Sequence, residues 1–232
     1  MNSDGPLAGI RAVVFDAVGT VIFADPPIHM AYHRVGRKFG SRIAPEDCGR
    51  RFREAFSRAS AGRGDGDSLA TTEDAEREFW RTLVDEVLPD LADPDACFDA
   101  LFQHFAEPAA WGVYADVEDT LAELRRRGLK LGIASNFDRR LHPVLDGRPE
   151  LRGLELRLIS SEVGWKKPAA PFFEAVVAAC GVRPEEILFI GDDPVNDVQA
   201  ARAAGMRALL IARGGTPAAD TLTSLEDVLE NS

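Results

Sequence analysis

The sequence predicts an α/β fold: a doubly wound, mostly parallel five-strand sheet interrupted by an inserted α-helical domain. Three observations predict it. Five short Val-, Ile- and Leu-rich runs show little in/out alternation, the pattern of strands covered on both faces. From the second run onward they alternate with segments that carry helix start and stop signals. Between the first run and those segments lie about ninety residues with helix signals and no comparable strand signal.

The first run, Ala12 to Asp16, ends in a carboxylate. Four helical segments follow: Ile28 to Gly40, Pro45 to Gly62, Thr72 to Leu88 and Pro94 to Phe105, separated by breakers such as GRGDGDS at 62–68 and the Asp-Pro at 93–94. Asp116 to Arg127 has an acidic start, a basic last turn and Gly128 just beyond, so its charges complement a helix dipole. The remaining strands are Lys130 to Ser135, Leu156 to Ser160, Ile187 to Gly191 and Arg207 to Ile211. Between them, Pro171 to Cys180 and Pro194 to Ala204 have Pro near the start and Gly past the end. Residues 24–112 therefore read as an inserted helical domain, and 1–23 with 113–232 as the α/β core.

Hydrophobic residues make up 45% and charged residues 28%, enough apolar mass for a packed core. A net charge of -11 argues against nucleic acid as a partner, because phosphate backbones are bound by clustered Lys and Arg. Cys48, Cys97 and Cys180 show no metal-ligand spacing and fit a reducing compartment. The first residues lack a basic, apolar leader, and no run approaches the roughly 18 apolar residues of a membrane span. A soluble cytoplasmic protein with no membrane partner is expected, and nothing in the sequence specifies an oligomeric state.

Charge within the insert is segregated. Arg34, Arg37, Lys38, Arg42, Arg50, Arg51, Arg53, Arg58 and Arg63 precede an acidic half from Asp65 to Glu107. Pairing across helices on a solvated face accounts for this pattern, and one or two arginines facing the sheet to grip an anion is the sharper alternative. His29, Tyr32 and His33, near the start of the insert, read as packing or solvated-face residues.

Ligands of open α/β sheets bind at the carboxyl ends of the strands. There the first strand carries Asp16, the second Ser135 and Asn136, and the fourth GDDPVND with Asp192, Asp193 and Asp197, while the loop after the third carries Lys166 and Lys167. Carboxylates converging from two strand ends repel each other unless a cation lies between them, and hard oxygen donors suit Mg²⁺. A divalent cation, a lysine, a hydroxyl and a free carboxylate are the components of phosphoryl transfer, in which Asp can be the nucleophile.

FDAVGT at 15–20, ASNFD at 134–138, KKP at 166–168 and GDDPVND at 191–197 resemble, in order and spacing, the four motifs of the haloacid dehalogenase-like (HAD) superfamily. The helical insert after the first motif resembles its subfamily I branch with a C1 cap on a Rossmann-like core. The resemblance implies that Asp16 is the nucleophile, that Ser135 hydrogen-bonds the transferring group, and that Lys167, more than Lys166, neutralises charge. It implies Mg²⁺ held by Asp16, Asp192 and the backbone carbonyl of Val18, with Asp193 and Asp197 in support. Asn136, Gly19 and Thr20 would shape the substrate-binding loops. For Asp197 a plain helix-start role is the alternative.

In phosphatases of this superfamily the residue two after the nucleophile is usually an Asp that protonates the leaving oxygen and later activates water. Here it is Val18. A valine retains the backbone carbonyl and removes the proton transfer, a loss of about 10²–10⁴ in rate. The expected activity is therefore a Mg²⁺-dependent phosphatase of a small phosphorylated metabolite, slow on esters with poor leaving groups. One alternative is a catalytically weak or inactive binding or regulatory protein, resembling the "rhythmically expressed gene" type that shares SNFDRR. A 2-haloacid dehalogenase-type hydrolase, which needs no proton for a departing halide, is another. A phosphonoacetaldehyde hydrolase with Lys38 as its Schiff-base lysine is the weakest of these readings.

Overall fold

The computed structural model describes residues 5–61, 69–215, 218 and 220–229. The GRGDGDS breaker, with Arg63 and Asp65, lies outside the described residues.

The core is a six-stranded, all-parallel sheet of order β5-β4-β1-β6-β7-β8, with β1 Ala12–Phe15, β4 Lys130–Ser135, β5 Leu156–Ile159, β6 Ile187–Gly191, β7 Arg207–Ile211 and β8 Thr221–Leu222. β1 is buried along its whole length because its two faces enter different cores. Val13 and Phe15 pack with Val117, Leu121 and Leu124 of α5 (Val117–Arg126), whereas Ala12 and Val14 pack with Phe172, Phe173 and Val176 of α8 (Ala170–Cys180). This two-sided burial explains the continuous apolar runs.

Four helices, α1 Ile28–Lys38, α2 Pro45–Ala61, α3 Glu73–Val87 and α4 Pro94–His104, form the insert. They enclose a third core around Tyr32, Leu83, Val87, Phe98 and Leu101. The start signals act as expected: the Thr72 side chain accepts the Ala75 N–H at 3.2 Å, and Asp93 accepts that of Ala96 at 3.1 Å. Arg58 pairs with Glu86 at 2.6 Å, so the basic half meets the acidic half across helices there, whereas Arg77, itself within the acidic half, pairs with Asp99 at 2.6 Å.

The structure adds three features. The insert leaves and rejoins the core through a small antiparallel pair, β2 Ile22–Ala24 and β3 Trp111–Val113. β8 adds a sixth strand to the five expected, and at two residues it is too short to leave a sequence signal. The helix expected over 194–204 divides into a wide π turn, Pro194–Gln199, and one α turn, α9 Ala200–Ala203. In the π turn the Val198 N–H reaches the Asp193 carbonyl, five residues back, at 3.3 Å. Such widened turns recur at functional sites because they redirect a side chain.

Candidate active site

From β1 the chain builds outward both ways, through β4 to β5 and through β6 to β7 and β8. The crevice at the carboxyl ends of β1 and β6 is thus a topological switch point. Asp16, the residue after β1, donates its N–H to the Ile190 carbonyl at 2.8 Å, which holds it on the rim facing β6.

Two glycines let the acids approach. Gly19 has φ +88°, and a Cβ there would stand 2.2 Å from Asp192 Oδ2. A Cβ on Gly191 would stand 2.2 Å from Asp197 Oδ2. Gly191→Ala is therefore expected to destabilise the protein by about 1–3 kcal/mol through overpacking and to loosen Asp197 from Lys167. Urea denaturation checks this, and a variant as stable as the parent would contradict it.

Lys167 Nζ lies 2.6 Å from Asp16 Oδ1 and 2.6 Å from Asp197 Oδ1. Burial alone would lower its pKa, but the two carboxylates outweigh burial and hold the ammonium above its ordinary range. The Asn136 amide latches the Lys167 backbone, donating to its carbonyl at 3.0 Å and accepting its N–H at 2.7 Å. Ser135 is buried at the end of β4, beside β1. Thr20 is also buried in the loop after β1; its carbonyl accepts from Arg213 at 2.6 Å, and its hydroxyl has no partner among the described residues.

Asp16, Asp192 and Asp197 each bring one carboxylate oxygen within 4.8 Å of the others. Asp193 has a different task. Its carboxylate accepts from the N–H groups of Val195 and Asn196 at 2.8 and 2.9 Å and from the Asn196 amide at 2.7 Å, so it caps the π turn. Burial alone would raise the Asp193 pKa, but those donors bring it below the usual range. Asp193 thus caps the turn, while Asp197 does two things at once: its Oδ2 accepts the Asp193 N–H at 3.0 Å, a helix-start contact, and its Oδ1 joins the cluster through Lys167.

Three carboxylates facing one ammonium leave uncompensated negative charge. Asp192 is exposed as a residue, but its carboxylate lies against Gly19, and this partial dehydration, with repulsion from Asp16 and Asp197 that Lys167 only partly offsets, pushes Asp192 up to about 7. Burial, opposed by Lys167 and reinforced by Asp16, raises Asp197 as well. Among the described residues no hydrogen bond takes the Val18 carbonyl. Clustered hard oxygen donors with excess negative charge suit Mg²⁺ or another hard divalent cation, so the residues fit such an ion.

The raised Asp192 has a thermodynamic consequence. The folded protein keeps a proton there that the unfolded chain releases near pH 4, so metal-free stability falls as pH rises from about 4 to about 7. A cation that needs the ionised carboxylate reverses this. Mg²⁺ is expected to raise Tm more at pH 8 than at pH 5.5, read by thermal melts. An equal rise at both pH values, or none at pH 8, would contradict it.

Above the cluster, between core and insert, lies a cavity of about 470 Å³. Half-buried Val18 and buried Lys167 reach it from the core. Tyr32, Phe52, Phe56, Phe79 and Trp80 reach it from the insert. None of the described arginines in the basic half of the insert lines it; the arginine in its wall is Arg140, from the core. Sequence reasoning missed this cavity and the contacts that close it. Lys166 pairs with Glu76 of α3 at 2.5 Å, Lys166 N–H donates to the Leu69 carbonyl at 2.9 Å, and Thr71 N–H to that of Gly164 at 2.9 Å. The density of Phe and Trp in the insert was its one available signal. His33 bonds the Ile43 carbonyl at 2.9 Å, as a packing residue would, and Lys38 is exposed in the last turn of α1.

A family model described as haloacid dehalogenase-like hydrolase matches residues 10–205. The chain belongs to that family. It is 32% identical over 210 residues to the mouse (Mus musculus) haloacid dehalogenase-like hydrolase domain-containing protein 3, covering 88% of this chain and 82% of that protein. A phosphoserine phosphatase of Thermus thermophilus is 41% identical over 114 residues, 49% of this chain and 46% of that protein. The crystal structure of a HAD phosphatase from Thermococcus onnurineus superposes with a TM-score of 0.67 at 26% identity, covering 94% of this chain and 96% of that one. The four helices thus form the insert after the first motif of a HAD-like hydrolase, and the three carboxylates form an acidic cluster able to hold a metal. No helix of the described residues is long and apolar enough to cross a membrane.

Proposed function

We propose that the chain is a Mg²⁺-dependent phosphatase of a small phosphorylated metabolite, working in the cytoplasm through an aspartyl-phosphate on Asp16. The cluster of Asp16, Asp192 and Asp197 around Lys167 carries this reading, because three carboxylates and one buried ammonium suit a cation and an anion bound together. Asp16, Asp192 and the Val18 carbonyl would hold Mg²⁺, with Asp197 beside them, and the ion would supply neutralisation of phosphoryl charge. Asp193 supports the site by capping the turn that carries Asp197.

Asp16 attacks phosphorus, and the leaving oxygen departs opposite it. Lys167, latched by Asn136, balances charge on the nucleophile and then on the phosphoryl oxygens. Ser135 hydrogen-bonds the transferred group, while Gly19 and Thr20 shape the loop that presents Asp16. The insert covers the site and limits water. Water then attacks phosphorus, phosphate is released and the Asp16 carboxylate is restored. The three buried free thiols accord with a reducing compartment.

Val18 favours a second reading, halide displacement, since a halide leaves without a proton. Asp192 opposes it, because a third carboxylate beside the nucleophile repels a carboxylate substrate when no cation intervenes. Assays of acyl, aryl and sugar phosphates with and without Mg²⁺ test the proposal. Mg²⁺-dependent phosphate release and an Asp16-dependent phosphoryl-enzyme are expected. Their absence from every substrate would leave a binding or regulatory protein, and metal-independent chloride release from 2-chloropropionate would indicate the dehalogenase.

A further inference from the structure

We propose that the substrate is an aryl phosphate, the monoester of a phenol or a similarly acidic aromatic hydroxyl, with its ring in the cavity above Val18. This rests on the phosphatase reading and names its substrate class.

The first support is the wall. Phe52, Phe56, Phe79, Trp80, Trp111 and Phe137 line the cavity, and its volume of about 470 Å³ leaves room for one or two fused rings. Phe56 is exposed at the rim, 5.8 Å from Phe52, 6.0 Å from Phe79 and 6.4 Å from Trp80 between ring centroids. Flat rings at these spacings offer edge and face contacts to another flat ring.

The second support is that the charged groups of the wall are already engaged within the protein. Arg140 donates to both Asp138 oxygens at 2.8 and 2.7 Å, and its guanidinium lies 3.7 Å from the Phe102 ring centroid. Lys166 is paired with Glu76 at 2.5 Å. Asn136 is latched to the Lys167 backbone. A sugar or amino-acid leaving group would bring hydroxyls or an ammonium that need such partners, and burying them unpaired is unfavourable.

The third support is chemical. Beside Lys167 in the cavity wall, and two residues after Asp16, stands Val18, which cannot donate a proton. A phenol such as the tyrosine side chain ionises near pH 10, whereas an aliphatic alcohol is close to water, at about 15.7. An Asp16 oxygen forms the new bond to phosphorus, the P–O(aryl) bond breaks, and the aryl oxide leaves with the electron pair as a stable anion that takes its proton from solvent. Hydrolysis of the aspartyl-phosphate by water then returns the Asp16 carboxylate and inorganic phosphate.

The test uses the full chain with Mg²⁺ and compares substituted phenyl phosphates, 2-naphthyl phosphate, cyclohexylmethyl phosphate, glucose 6-phosphate, phosphoserine and acetyl phosphate. The aryl esters are expected to exceed the alkyl, sugar and amino-acid esters in kcat/KM by about 10²-fold or more, with log kcat/KM falling steeply as the phenol becomes less acidic. Phe56→Ala is expected to lower kcat/KM for 2-naphthyl phosphate about tenfold more than for acetyl phosphate, which carries no ring. Titration of 2-naphthyl phosphate into Asp16→Asn should change tryptophan fluorescence, since Trp80 and Trp111 line the cavity. Acetyl phosphate separates the two levels. If it forms the phosphoryl-enzyme while aryl esters are no better than glucose 6-phosphate, the aryl assignment is overturned and the phosphatase reading stands. If nothing forms a phosphoryl-enzyme, both fall.

Discussion

Asp16→Asn is expected to lower phosphatase turnover by about 10⁴-fold or more while leaving the protein folded, with Tm unchanged or raised. The amide has nearly the carboxylate's shape and cannot form the acyl phosphate. Stability should survive because Lys167 keeps Asp197 at 2.6 Å and the repulsion that raises Asp192 loses one of its two sources. The paired readout separates chemistry from folding. Intact-mass detection of the phosphoryl-enzyme should succeed with the parent and fail with the variant. Retained turnover, or a phosphorylated variant, would remove Asp16 from the mechanism.

Val18→Asp is expected to act in the opposite direction, raising kcat/KM for alkyl and sugar phosphates by about 10²-fold or more, up to the 10⁴ that a positioned general acid supplies. Val18 is half-buried, lines the cavity on one side and packs against the core on the other, so a carboxyl group there would reach the cavity at the cost of some packing, and a thermal melt of the variant accompanies the assay. An added acid protonates a poor leaving group as the bond breaks and gains little with a good one. The slope of log kcat/KM against phenol acidity should therefore flatten in the same variant. A gain on alkyl esters with a flatter slope locates the parent's deficit in proton transfer. No gain on any ester would locate the true reaction elsewhere.

Much of this molecule is legible along the chain. Runs such as Ala12–Phe15 signal two-sided burial because every residue in them is apolar, and the structure divides alternate residues between two cores. Thr72 and Asp93 signal helix starts because a short polar side chain reaches its own backbone three residues on. Asp16, Lys167 and Asp192 are legible as a candidate site because strand ends of an open sheet converge, although Lys167 and Asp16 are 151 residues apart.

Other features have no local signal. β2 and β3 are three residues each and β8 two, so pairing with a distant partner, not composition, makes them strands. Asp193 and Asp197 stand in one motif with the same side chain, and only the π turn decides that the first accepts the N–H groups of Val195 and Asn196 while the second divides its oxygens between Lys167 and the Asp193 N–H.

The sequence by itself determined five of the six strands, the helical insert, the rim residues and the valine at position 18, because burial, helix capping and the strand-end rule act through local pattern and chain order. The tertiary structure decided which carboxylate joins the cluster, how Lys166 and Glu76 tie the insert to the core, and that the space above Val18 is walled by aromatic rings. Those outcomes depend on the distances between groups far apart in the chain, and folding sets those distances by packing three separate cores against one another.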